Sequence, residues 1–127
     1  MGLCIAAGGT VFKAYAGIAA FTLAWTHSVQ KTEWEEDWRI ADGRLTIVEA
    51  RVQGTGAGME PPPDSRFDGR FWRWTPQVPP LEELVLRRSG ATADWRLCTD
   101  GQCRTLSADL PSDADPIVLR ACDIPSP

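Results

Sequence analysis

Hydrophobic residues in this chain fall in short period-two runs broken by glycine, proline and polar residues, the pattern of strands with one buried face. Phe21, Leu23 and Trp25 alternate with Thr22, Ala24 and Thr26. After a polar break at 30–32 the alternation resumes, with Trp34, Glu36, Trp38 and Ile40 on one face and Glu33, Glu35, Asp37 and Arg39 on the other. One face is therefore apolar apart from Glu36, and the other carries charge. Leu3–Ala7 and Val11–Tyr15 flank a Gly8-Gly9 turn, and Asp42-Gly43 joins Glu33–Ile40 to Arg44–Gln53. Asp-Gly between apolar runs favours a two-residue type I′ hairpin, which sets Ile40 opposite Leu45 and Glu33 opposite about Val52.

Residues 54–68 hold three glycines and three consecutive prolines, which predicts a long loop with no ladder hydrogen bonds of its own. Beyond it, short strands are predicted at Phe71–Thr75, Leu84–Arg88, Asp94–Cys98, Cys103–Leu106 and Ile117–Cys122, with room for one helical turn at 106–115. About eight to ten short antiparallel strands joined by glycine and proline turns imply an all-β fold, a sandwich or a partly closed barrel. The 127 residues make one β domain over 1–127, with a tail at 123–127.

Composition narrows the function classes. With 43% hydrophobic and 24% charged residues the chain is an ordinary globular protein. A net charge of -4, with arginines spread rather than clustered, argues against a nucleic-acid partner, because phosphate binding needs a basic field.

The four cysteines point to disulfides. Cys98 and Cys103 bracket Thr99-Asp100-Gly101-Gln102, and an Asp-Gly type I′ turn places them as a non-hydrogen-bonded cross-strand pair, close enough to join. Cys4 and Cys122 would then tie the two ends of the chain together. The competing zinc site would want two close cysteine pairs, and only one is present. Disulfides imply export. Met1–Trp25 is not a convincing signal peptide, since it lacks a basic start and is interrupted by Gly8, Gly9, Lys13 and Gly17. The protein is therefore expected to be exported, with the export segment outside this sequence.

Candidate chemistry collects in Phe21–Arg39, which holds three of the six tryptophans, the only histidine and four acidic groups. His27, Ser28, Lys31, Glu33, Glu35 and Glu36 lie at a strand end, where loops carry binding groups on a rigid scaffold. A histidine beside carboxylates can ligate a metal or act as a pH switch. The plainer reading is a solvated charged face, with the carboxylates meeting Lys31 and Arg39. His27 and Ser28 are neighbours, so in extended chain they point to opposite faces and form no catalytic pair. No residue is singled out as catalytic, as a metal ligand or as a cofactor contact. The alternating glycines Gly54, Gly56 and Gly58 let backbone approach a partner closely. No lysine follows in the position of a phosphate-binding loop. The hairpin register brings this glycine stretch to the same end of the sheet as His27.

The string FTLAWTHSVQKTEWEEDWRI, then GTGAGM, FWRW and LEELVLRRSG, resembles the small bacterial family of domain of unknown function 1850 over about Phe21–Arg120. The resemblance implies an exported accessory protein, periplasmic or membrane-anchored, encoded beside TRAP transporters of the TAXI type. Its partner would be a transporter component, the solute-binding protein or a small solute, and it implies no mechanism. Two expectations follow. One is a non-catalytic binding domain whose contact corner is His27, Ser28, Lys31, Glu33, Glu36, Gly56 and Gly58, with a flat patch of exposed tryptophans such as Trp72 or Trp74. The other is a small hydrolase or metal-dependent enzyme using the His27/Glu33 corner.

Overall fold

The computed structural model describes residues 2–26, 32–54, 62–88 and 94–123. Two antiparallel sheets pack face to face as a sandwich, not a closed barrel. The smaller sheet contains β1 (Gly2–Ala7), β2 (Thr10–Ala16), β8 (Leu84–Leu86) and β11 (Ile117–Cys122), in the order β2-β1-β11-β8. The larger contains β3 (Ala20–Thr26), β4 (Glu33–Ala41), β5 (Arg44–Gln53), β6 (Arg66–Phe67), β7 (Phe71–Trp74), β9 (Arg96–Thr99) and β10 (Gln102–Thr105), in the order β10-β9-β3-β4-β5-β7-β6. Among the described residues no helix is long and apolar enough to cross a membrane. The one helical turn falls at Leu106–Ala108, inside the 106–115 window.

The hairpins follow turn chemistry. Asp42 and Gly43 take φ values of 54° and 72°, and Asp100 and Gly101 take 50° and 80°. Both central residues of a type I′ turn need that left-handed backbone, which glycine and aspartate tolerate best. Thr99 pairs with Gln102 and Cys98 with Cys103 as expected, and both Cys98–Cys103 and Cys4–Cys122 are bonded. The second bond bridges β1 and β11, which are neighbours in the smaller sheet.

Leu3, Ile5, Leu23, Leu45, Val52, Ile117 and Leu119 are fully buried side chains. Most of them join one core cluster with Phe21, Trp38, Ile40, Ile47, Leu86 and Leu97. Each such side chain contributes roughly 2 kcal/mol by leaving water.

Three expectations are corrected. Residues 54–68 are not wholly without ladder bonds: Arg66 and Phe67 pair with Arg73 and Trp72. The strand at 84–88 ends at Leu86 and joins β11, while the one at 94–98 starts at Arg96 and joins β3, so the two lie in different sheets. Ile40 does face Leu45, but a β-bulge between Asp37 and Trp38 shifts the rest of the hairpin, so Val52 faces Trp34 rather than Glu33. The bulge matters for side-chain placement. Without it Arg51 would stand opposite Trp34 on the inner face; with it, Arg51 faces Glu35 on the outer face.

Candidate functional site

The strand ends predicted to meet do meet. Thr26 pairs with Glu33, and Trp34 pairs with Val52, so β3 ends, β4 begins and β5 ends at one rim of the larger sheet. His27, Ser28, Lys31, Gly56 and Gly58 lie in the connections between these strands, outside the described residues. Glu33 and Glu36 are described, and the pleat sends them to opposite faces.

Glu33 is on the outer face, where its carboxylate accepts a hydrogen bond from the Arg96 guanidinium on β9. A larger network lies on the same face. Arg51, only 13% exposed, donates to Glu35 at 2.7 Å, to Asp37 at 2.7 and 3.1 Å and to Glu49 at 3.2 Å. Arg73 joins Glu49 to Asp68, both at 2.5 Å. Burial pushes the Asp37 carboxyl up, but hydrogen bonds from Arg51 and Thr22 outweigh it and leave the group below the usual carboxylate range. Burial likewise opposes the Arg51 cation, and hydrogen bonds to Asp37 and Glu35 reverse this and hold its proton more firmly than usual. Lys31, one of the two cations expected here, lies outside the described residues. The carboxylates of this face meet Arg51, Arg73 and Arg96, and Arg39 has no ion pair among the described residues.

Glu36 points inward, among aromatic residues. It accepts a hydrogen bond from Trp38 Nε1 at 3.2 Å, and burial raises its carboxyl above the usual range, with the Trp38 bond a smaller opposing effect. Next to it lies a feature that the sequence did not single out, a cluster of four tryptophans. Trp25 and Trp34, cross-strand partners, stack at 5.9 Å between ring centroids and 11° between planes. Trp95 tilts onto Trp25 at 4.7 Å, and Trp74 meets Trp34 edge-on at 6.4 Å. All four are half-buried. The Trp95 indole donates to the Arg87 carbonyl at 2.9 Å, whereas Trp34 Nε1 is buried without a hydrogen-bond partner among the described residues. Such an orphaned donor costs on the order of 1–3 kcal/mol. The signal was present in the sequence: once Thr26 faces Glu33, Trp25 must face Trp34.

Trp72 and Trp74 do not form an exposed patch. Both are half-buried, with Trp72 tilted against Phe67 at 5.0 Å.

The family model of a domain of unknown function, DUF1850, matches residues 21–106, from the first residues of β3 to the helical turn. The chain belongs to the DUF1850 family. No curated protein and no solved structure matches it. The matched span takes in the larger sheet from Phe21 onward, its arginine–carboxylate network and the four clustered tryptophans of this DUF1850 domain. Most of the smaller sheet, including Cys4 and Cys122, lies outside it.

Proposed function

We propose that this DUF1850 domain is a non-catalytic recognition module of an exported solute-transport system of the TAXI-type TRAP class, contacting a transporter component or its solute-binding protein. The observation that carries this reading is the tryptophan cluster at the rim of the larger sheet, four rings in contact and each half-buried. Tryptophan anchors dominate protein–protein contacts because they combine large apolar area with a polar handle and little entropy to lose. A partner packed on the half-buried rings would cover the apolar area they still expose. Two disulfides suit an oxidising compartment such as the periplasm. Glu33, on which the hydrolase or metal-enzyme alternative leans, is already engaged by Arg96.

Co-purification with the neighbouring transporter subunits and binding protein tests the reading. One of them should be retained by the natural protein and lost by a Trp25→Ala/Trp95→Ala variant that keeps its far-ultraviolet circular dichroism. Retention of none, with unchanged growth on the transported solute when the domain is deleted, would remove the proposal.

A further inference from the structure

The outer face of the larger sheet is charged along β4, β5 and β7, but it changes character beyond the bulge. There a hollow of about 670 Å3 opens between the β2–β3 connection, the sheet and the tip of the β9–β10 hairpin. Its volume is within the range of small-molecule sites, roughly 300–1,000 Å3. Its walls are apolar where the surrounding surface is not: Ile18 and Ala20 line one side, and Val48, the extra residue of the bulge, is 43% exposed on the other. A bulge re-aims a side chain, and bulges concentrate beside functional sites.

The polar groups of the hollow are unequally engaged. Asp37 is held by Arg51 and by the Thr22 hydroxyl at 2.7 Å. Arg39, exposed at the same wall, has no ion pair among the described residues, whereas Arg51, Arg73 and Arg96 on this face of the sheet do. We propose that this hollow binds a small organic acid, its carboxylate held by the fork of Arg39 and its carbon skeleton laid on Ile18, Ala20 and Val48. A guanidinium is the natural donor pair for a carboxylate, and the charge-assisted bond gives such a ligand its orientation. Asp100, exposed at the hairpin tip, is the group that would favour the opposite ligand, an amine. The hollow is on the face opposite the tryptophans, so its ligand is independent of any protein docked there.

Three probes with one carbon chain and different head groups test this: hexanoate, hexan-1-ol and hexylammonium, each titrated into the isotope-labelled, oxidised protein and followed by amide chemical shifts. Hexanoate should give saturable shifts at Ala20, Arg39, Val48 and Gly101. Arg39→Gln, at an exposed site with no ion pair among the described residues, should leave the rest of the spectrum in place and weaken hexanoate roughly tenfold, the size of one lost charge-assisted bond. Val48→Asp should abolish binding, and Asp100→Asn should preserve it. The proposal is overturned if hexanoate produces no saturable shift, if hexanol or hexylammonium binds the same amides as tightly, or if Arg39→Gln binds hexanoate unchanged.

Discussion

Glu36 and Arg51 show how single residues on two faces of one sheet obey opposite rules. Glu36 is a carboxyl kept among tryptophans, with burial raising it above the ordinary range. A carboxyl whose folded value is raised is neutral at low cost in acid, and its stabilising contribution is lost as pH rises through the folded value. Glu36→Gln keeps an acceptor for Trp38 Nε1 but cannot ionise. Its urea midpoint should match that of the natural protein near pH 4 and exceed it at pH 7; equal midpoints at both would show that Glu36 is not strained by charge. Arg51 is the reverse case, a cation surrounded by Glu35, Asp37 and Glu49. Arg51→Met leaves three half-buried carboxylates facing one another and should cost about 2 kcal/mol in denaturant unfolding, less than a fully buried pair because water still reaches the acids. Arg88 plays a related part at 9% exposure, tying Asp94 to the carbonyls of Pro111 and Ala114.

At the scale of elements, the hairpins were legible because a type I′ turn is encoded in two adjacent residues. Asp42-Gly43 and Asp100-Gly101 carry that code, and each fixes a register several residues deep. The bulge at Asp37/Trp38 was not legible, since it depends on Arg51 reaching the charged face and on Val52 filling the core, a choice made across strands. The same limit hid the ion pairs, whose partners are sixteen and sixty-three positions apart in Arg51–Glu35 and Arg96–Glu33. β6 was missed because two residues after a proline run offer no period to detect. Of the candidate corner, only Glu33 and Glu36 can be placed, and alternation alone had already put them on opposite faces. The two disulfides should differ in weight. On the chain-entropy model the short Cys98–Cys103 loop contributes about 2 kcal/mol and the Cys4–Cys122 loop about 5 kcal/mol. Paired serine replacements, compared by thermal melting, should lower the midpoint more for Cys4/Cys122; the reverse order would refute the model for this domain.

For the whole molecule, the two sheets divide the work. The smaller one supplies Leu3, Ile5, Ile117 and Leu119 to the core, and the larger one supplies an inner aromatic rim and an outer charged surface. Their assignment to separate sheets could not be read locally, because β8 and β9 follow each other in the chain yet pair with β11 and β3. The Cys4–Cys122 bond spans 118 positions and joins the first strand to the last. Its consequence is mechanical. Tension applied between the two ends runs through the sulfur bridge and bypasses everything between Cys4 and Cys122, so the sandwich stays unloaded however hard the ends are pulled. In a single-molecule stretching measurement the oxidised domain should behave as a short inextensible link, and reduction should release a contour of about 400 Å.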